Sequence, residues 1–207
     1  FSIRGFRADS LALPDGNGTS YETSIEFSQF SPGQTLPSGN DILGVCLNME
    51  HSWLRDLEIK LSCPSGKSIT LHNFAGEEGS GIFLGQPVDF DGTNPTPGLG
   101  YDYCWTPNAT NGTWLEYVDI NLFNEDTLPS GDYSPYQSFD LLAGCPLNGK
   151  WTIQVTDLWS WDNGYIFSWG INFASALLPI EENFTPAITD YYWTSDVEAS
   201  TQTPASI

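Results

Sequence analysis

Alternation of apolar and polar residues with a period of two is the feature that most constrains the fold of this chain. In the segment 21–28, the odd-numbered positions carry Tyr21, Thr23, Ile25 and Phe27, whereas the even-numbered positions carry Glu or Ser. The alternation returns at Val45, Leu47 and Met49; at Leu57, Ile59 and Leu61; at Trp151, Ile153 and Val155; and at Tyr165, Phe167, Trp169, Ile171 and Phe173. Because successive side chains of a strand point to opposite faces, each segment predicts a half-buried β-strand.

These five strands each leave an apolar face to be covered, which predicts at least two facing sheets. Turn motifs lie between them, among them Pro64-Ser65-Gly66, Asn111-Gly112, Asn148-Gly149 and Asn163-Gly164. No stretch of about a dozen residues keeps a helical period. The sequence therefore predicts an all-β fold, a jelly-roll β-sandwich with extended N- and C-terminal segments.

The chain's length of 207 residues suits one domain. We expect an N-terminal extension over 1–20, the sandwich over 21–175, and a linker or the start of a following domain over 176–207. Within the last segment, Tyr191, Tyr192 and Trp193 are expected to dock on this domain or its neighbour. The sequence begins at Phe1 without a basic-then-apolar leader, and it has no apolar run of about 18 residues. We therefore expect no membrane span, and a piece of a longer exported protein.

Acidic residues dominate the charge. Six Lys and Arg stand against 26 Asp and Glu, for a formal net charge of -20. Such a chain repels polyanions, so nucleic acid is not expected as a partner. The surplus of carboxylates suits a calcium-rich extracellular medium, and the simpler alternative is that it serves solubility.

Four cysteines, Cys46, Cys63, Cys104 and Cys145, form no CxxC pair. An even number without metal-ligand spacing predicts two disulfides and an oxidising, extracellular location. Alternation argues against a Cys46–Cys63 bond, because Cys63 shares the core-facing row of its strand while Cys46 lies on the opposite row of the preceding strand. The other pairings stay open.

Two blocks carry a family resemblance. Residues 44–66 read GVCLNMEHSWLRDLEIKLSCPSG and are followed by ITL at 69–71; residues 147–157 read LNGKWTIQVTD, followed by DNG at 162–164 and FSWGI at 167–171. In this order they resemble the P-domain of proprotein convertases, the P/Homo B family. The resemblance implies a jelly roll of about eight strands or more. It also implies a module that accompanies a protease in some relatives and lies among adhesin repeats in others.

A subgroup is indicated by the cysteines together with MEHS at 49–52, LGQP at 84–87 and YCWTP at 103–107. These resemble very large surface proteins of gliding bacteria that are exported by type IX secretion. In such bacteria Asp9-Ser10-Leu11 and Asp126-Thr127-Leu128 are similar to an O-glycosylation triplet, which makes Ser10 and Thr127 candidate glycosylation sites.

Catalytic machinery is not expected. His51, Ser52 and Asp56 lie within one hairpin, too close to present a nucleophile, a base and an orienting acid around a substrate carbonyl. We expect His51 and Asp56 to hydrogen-bond across the loop instead, and His72 to be structural. The chain has neither a GxSxG nor an HExxH motif. We therefore predict that it is not an enzyme.

Aspartates at loops are the candidate metal ligands. Asp157 and Asp162 flank a tight loop, family topology places Asp56 nearby, and Asp89 with Asp91 form a second acidic loop. Clustered carboxylates repel each other unless a cation lies among them, which predicts a structural Ca²⁺. The alternative is that Asp157 and Asp162 accept backbone N–H bonds in their own turn.

Tryptophans at the same loops are the candidate ligand-binding residues. Trp159 and Trp161 lie between two strands, and Trp53 precedes Asp56. Exposed rings at loop tips stack on sugars or anchor protein partners. The alternative is that these rings cap the open end of the sandwich.

The resulting prediction is a non-catalytic, calcium-stabilised β-sandwich module of a large secreted cell-surface adhesin or gliding-type protein. Its partners would be the neighbouring domains of the parent protein and a surface protein or glycan. One alternative is a P-domain that stabilises a subtilisin-like serine protease. Another is a carbohydrate-binding domain that uses the loop tryptophans.

Overall fold

The structure, a computed structural model, describes residues 2–13, 16, 18–76, 79–88 and 96–179. Within these residues the chain forms eleven strands, one α-helix and four short 3-10 turns. The strands are β1 (Ser2–Ala12), β2 (Ser20–Phe27), β3 (Ile42–His51), β4 (Leu57–Ser62), β5 (Ser68–His72), β6 (Phe83–Leu84), β7 (Tyr101–Trp105), β8 (Thr127–Leu128), β9 (Gly131–Tyr133), β10 (Gly149–Asp157) and β11 (Gly164–Ala174). The helix is α1 (Trp114–Asn121), and the 3-10 turns are Gly39–Asp41, Leu54–Asp56, Phe139–Leu142 and Ser175–Leu177.

The strands are divided between a seven-stranded and a four-stranded sheet. The larger sheet has the order β1-β11-β3-β6-β8, with β7 paired to β3 and β9 paired to β7, and the smaller has the order β2-β10-β4-β5. The longer strands alone give β1-β11-β3-β7 in one sheet and β2-β10-β4-β5 in the other, which is the order of a jelly roll. The predicted all-β sandwich is confirmed.

The core lies between the two sheets and takes one row of side chains from each inner strand. In β4, for example, Leu57, Ile59 and Leu61 are fully buried, and the residues between them are partly exposed. The largest fully buried side chains include Trp105, Trp114, Trp151 and Trp169. Each fully buried large apolar side chain contributes about 1.5–3 kcal/mol, so this aromatic core is the main source of stability.

Strand β11 departs from the predicted alternation. Its pairing with β3 shifts register between Ile166 and Ser168. Ile166 is consequently buried, while Tyr165 and Phe167 lie on the outer face with their ring centroids 6.2 Å apart. The expectation that Tyr165 and Phe167 share the core-facing row of Trp169 is therefore wrong, because a β-bulge reverses the side-chain direction.

The segment assigned by sequence to an N-terminal extension contributes a strand to the larger sheet. Strand β1 runs antiparallel to β11, from the pair Ser2–Ala174 to the pair Ala12–Tyr165, and its register shifts between Ala8 and Leu11. At the other end of the chain, Tyr191, Tyr192 and Trp193 lie outside the described residues. The sheet thus begins earlier in the sequence than the alternation indicated.

Helix α1 was not anticipated, because its eight residues are shorter than the window in which helical periodicity was sought. Thr113 begins it with a capping box: its hydroxyl accepts the N–H of Glu116, whose carboxylate accepts the N–H of Thr113. Trp114 and Val118, four residues apart, are buried on one face. No helix within the described part of the chain has both the length and the apolar character needed to cross a membrane.

Two disulfides link the strands. Cys46 and Cys104 face each other across β3 and β7, with Cα atoms 4.0 Å apart, and Cys63 after β4 is bonded to Cys145 before β10. The prediction of two bonds and the argument against Cys46–Cys63 are both confirmed. Disulfides of this kind are typical of proteins that mature in oxidising compartments.

Candidate functional site

Two loops meet at one end of the sandwich. β3 ends at His51, which pairs with Gly164 at the start of β11, and β10 ends at Asp157, which pairs with Leu57 at the start of β4. Residues 52–56 and 158–163 are therefore brought side by side. We call this region, residues 51–57 and 157–164, the tryptophan end.

Backbone hydrogen bonds join the two loops directly. The N–H of Ser52 donates to the carbonyl of Asn163 at 3.0 Å, and the N–H of Leu158 donates to the carbonyl of Asp56 at 3.0 Å. The Ser52 hydroxyl accepts the N–H of Asn163 at 3.0 Å and donates to the carboxylate of Asp162 at 2.9 Å. The site is thus tied together across more than a hundred residues of sequence.

His51 is fully buried beneath these loops. Its Nε2 lies 3.4 Å from the Asp157 carboxylate, and its Nδ1 lies 3.0 Å from the backbone of Trp53. Burial alone would lower the pKa of His51, but the hydrogen bond and charge of Asp157 outweigh that effect and raise the pKa above its ordinary value. Asp162 and Asp56 add to the increase through their charges.

Asp157 has a second role in the adjoining turn, where its other carboxylate oxygen accepts the N–H of Trp159 at 3.0 Å. This contact is the one expected under the alternative in which Asp157 stabilises its own turn. Asp56 and Asp162 are close enough to influence His51. Within the described residues, no group of three or more His, Cys, Asp and Glu is arranged to hold a metal. Asp89 and Asp91 lie outside those residues, and calcium stays a prediction.

The residues of a catalytic triad are not arranged as one. The imidazole of His51 contacts Asp157, whereas the hydroxyl of Ser52 donates to Asp162, and both His51 and Ser52 are fully buried. A nucleophile must reach its base and its substrate together. This geometry therefore does not activate Ser52.

His72 has the structural role expected for it. It is buried at the end of β5, and its Nε2–H donates to the carbonyl of Leu54 at 3.1 Å. Its ring packs against Trp114, with centroids 4.8 Å apart. Burial lowers the pKa of His72 to about 4, so the ring is neutral and fixes the 3-10 turn that carries Asp56.

The three predicted tryptophans lie around one small hollow of about 180 Å³. Its lining residues are Trp53, Asp56, Trp159, Ser160, Trp161 and Asp162. Trp161 is 73% exposed and has a φ of 96°, and Trp159 is 39% exposed. One hollow thus contains the three tryptophans together with two of the aspartates, Asp56 and Asp162, for which a different ligand was predicted.

A second hollow of about 300 Å³ adjoins the first and shares Trp53 and Asp162 with it. Its other lining residues are Ser52, Gly81, Phe83, Asn124 and Glu125. The segment after α1 comes here because the N–H of Gly81 donates to Asn124 and the N–H of Glu125 donates to the carbonyl of Gly81, both at 2.7 Å. Sequence reasoning missed Asn124 and Glu125, which no local motif distinguishes.

The candidate glycosylation sites lie elsewhere. Ser10 is exposed on the edge strand β1, and Thr127 is half-buried in β8, where it pairs with Phe83. Both stay predictions.

Comparison with known proteins adds the following findings. No curated protein sequence matches the chain. Among solved structures, it is similar to the serine protease of Aeromonas sobria, both alone and in a complex with a chaperone, with 12% identity and a TM-score of 0.40 in each case. The match covers 83% of this chain but only 26% and 27% of those chains, so this chain spans about a quarter of their length. Residues 42–86, which contain β3 to β6, match the family model of the proprotein convertase P-domain, and this confirms the family resemblance inferred from the sequence.

Proposed function

We propose that this chain is a non-catalytic β-sandwich module of a large secreted cell-surface protein of the adhesin or gliding type. The P-domain match over 42–86 is the observation that carries the proposal, since P-domains are accessory to other domains. The separate partners of His51 and Ser52 support it, because they leave Ser52 without a base that could activate it. Its work would be to present a surface and to space the domains beside it.

The test replaces this module in the parent protein with a flexible Gly/Ser linker of equal length. Antibody labelling of intact cells measures surface display, and adhesion to a solid support measures function. We expect display to persist and attachment to fall. Unchanged attachment would contradict the proposal.

A second candidate is a P-domain that buttresses a subtilisin-like serine protease, which the matched family itself favours. The same linker replacement separates the two. Under this alternative, peptidase activity and the amount of folded parent protein would collapse, whereas under the first proposal the parent has no peptidase activity to lose.

Calcium is a further part of the proposal. The net charge of -20 supports it, as do the positions of Asp56, Asp157 and Asp162 around His51. A structural ion would join the two loops, so we expect EDTA to lower the melting temperature by about 5 °C. Asp157→Asn should remove most of that calcium-dependent difference, whereas Asp132→Asn, at an exposed position on β9, should retain it. Identical melts with calcium and with EDTA would remove the ion from the proposal.

A further inference from the structure

We propose that the hollow between Trp53, Trp159 and Trp161 binds a cationic side chain, an arginine above all, presented by an extended basic segment of a partner protein. The inference rests on the proposed function in one respect: the module acts by binding rather than by catalysis. In this proposal the indole rings and the carboxylates, for which different ligands were predicted, bind one ligand together.

The lining of the hollow matches a cation in its chemistry. The residues that line it carry three indoles, two carboxylates and one hydroxyl: Trp53, Asp56, Trp159, Ser160, Trp161 and Asp162, of which Asp56 is only 2% exposed. An indole face attracts a cation that lies within about 6 Å of the ring centroid, and a carboxylate beside it adds a charge-assisted hydrogen bond. None of the six side chains is basic, so nothing in the lining opposes a positive charge.

The size and continuity of the site indicate a polypeptide segment. About 180 Å³ is below the range of about 300–1,000 Å³ that is usual for drug-sized ligands, so this hollow suits one side chain. The adjoining hollow of about 300 Å³ shares Trp53 and Asp162 with it and adds the carboxylate of Glu125. Together they form a groove in which one cationic side chain enters the tryptophan hollow and the residues beside it lie along the second.

The loops that carry the rings are held in place before any ligand arrives. Asp157 fixes the N–H of Trp159, Ser52 fixes Asp162, and the backbone of Leu158 is bonded to Asp56. A site that is already ordered loses less conformational entropy on binding. Preorganisation of this kind is expected of a binding site.

The exposure of Trp161 argues against the alternative in which these rings only cover the open end of the sandwich. A cap would bury its ring, whereas Trp161 is 73% exposed. Its φ of 96° lies in the left-handed region, which a bulky residue adopts only where the surrounding loop imposes it. The loop thus presents an indole to solvent in a conformation that core packing does not require.

Arginine fits this surface better than lysine or a sugar. The guanidinium group is planar, stacks on aromatic faces and offers five N–H donors, which match the acceptors on Asp56, Asp162 and Ser160. The net charge of -20 would also attract a basic segment over distance, and salt would screen this attraction.

The experiment titrates the chain with an acetylated and amidated Gly-Arg-Gly-Arg-Gly peptide and follows tryptophan fluorescence and heat. A peptide of the same sequence with citrulline for arginine, which is neutral and of the same shape, is the ligand control. We expect binding of the arginine peptide to weaken as salt rises, lysine to bind less tightly, and citrulline to show no binding.

Two variants locate the site. Trp161→Gly removes the ring and accepts a positive φ, so we expect binding to weaken at least about tenfold while the melting temperature stays within about 2 °C. Asp162→Asn should weaken binding about fivefold. Tyr136→Ala, at an exposed ring elsewhere, and Asp132→Asn, which changes the net charge equally, should leave binding unchanged.

Three results would overturn the proposal. If the citrulline peptide binds as tightly as the arginine peptide, the site does not recognise a positive charge. If Asp132→Asn loses as much affinity as Asp162→Asn, only the net charge of the chain matters. Binding of a chito- or cello-oligosaccharide that disappears in Trp161→Gly, in the absence of peptide binding, would make this a glycan site. None of these outcomes tests the proposed function of the module in the parent protein. That function is tested separately, by surface labelling and adhesion of cells in which a linker replaces the module.

Discussion

The two ends of the sandwich are closed by different chemistry. At the end opposite the tryptophans, which we call the disulfide end, Cys63–Cys145 joins β4 to the segment before β10. There Phe30 and Asn148 exchange two hydrogen bonds, at 2.9 and 3.1 Å, and the rings of Phe27, Phe30 and Phe173 pack with centroids 5.2–5.9 Å apart. The tryptophan end instead buries the imidazole of His51 against a carboxylate and exposes two indoles.

This difference separates the end that stabilises the fold from the end that is available for binding. Covalent and apolar contacts hold the disulfide end in a manner that depends little on pH or on a ligand. Buried charges at the tryptophan end make its stability depend on protonation, and its exposed rings remain available for contact. Of the two ends, we therefore expect the disulfide end to contribute more to global stability and the tryptophan end to determine the responses to pH and to binding partners.

The largest effect should come from breaking the disulfide end. The double variant Cys63→Ala/Cys145→Ala opens a loop with a sequence separation of 82 residues. We expect the free energy of unfolding to fall by about 4 kcal/mol, measured by urea denaturation. The matched control is Cys46→Ala/Cys104→Ala, whose separation is 58 residues.

From loop entropy alone, the contributions of the two disulfides to the free energy of unfolding differ by only about 0.3 kcal/mol. Any larger loss in Cys63→Ala/Cys145→Ala therefore measures the packing of Cys63 and Cys145 at this end. A loss below about 1 kcal/mol would show that the disulfide end is not where the fold is secured.

Breaking the buried pair at the tryptophan end should have the next largest effect. Asp157→Asn leaves His51 buried without its charged partner and should cost about 3 kcal/mol at pH 6. Because the folded-state pKa of His51 is raised, its contribution is fully present below about 6.5 and is lost as pH rises through the folded value. The cost of the substitution should therefore shrink as pH rises above about 6.5, which urea denaturation over a series of pH values measures.

A cost of Asp157→Asn that does not change with pH would mean that Asp157 acts only as a hydrogen-bond acceptor, whatever the charge on His51. His72 provides the internal reference, because its pKa is lowered to about 4. Its effect has the opposite sign: burial of the neutral ring stabilises the fold above about 6.5 and is lost as pH falls towards 4. The two histidines can thus be told apart by the direction of the pH effect.

The sequence alone predicted the strands with strict alternation, such as β4 and β10, because every second residue is apolar and these residues share the buried face. It failed at β11, where the bulge after Ile166 depends on the pairing with β3. It also failed at α1, whose eight residues carry too little periodicity. At the site, the tryptophans and aspartates were recognisable by type and position. Their convergence with Asn124 and Glu125 was not, since it depends on contacts between segments far apart in the sequence.

The smallest of these effects should come from Glu50, which precedes His51 on β3. Its side chain is fully buried, and Gly85 packs so closely against it that an added Cβ would lie 2.9 Å from the Cβ of Glu50. Burial raises the pKa of Glu50 to about 7, an effect that neighbouring backbone groups and the charge of His51 only partly offset. An acid with a raised folded-state pKa stabilises the fold while it is protonated, so this contribution is present below about 4.5 and is lost as pH rises to about 7.

Glu50→Gln keeps the shape of the side chain and removes its charge. At pH 8 we expect the variant to be more stable than the unmodified chain by about 2 kcal/mol, and at pH 4.5 we expect the two to be nearly equal. Urea denaturation between these pH values measures the difference, and Glu22→Gln on β2, which is exposed, is the control. A variant that is less stable at pH 8 would mean that the buried carboxylate is held by a cation or by a hydrogen-bond donor.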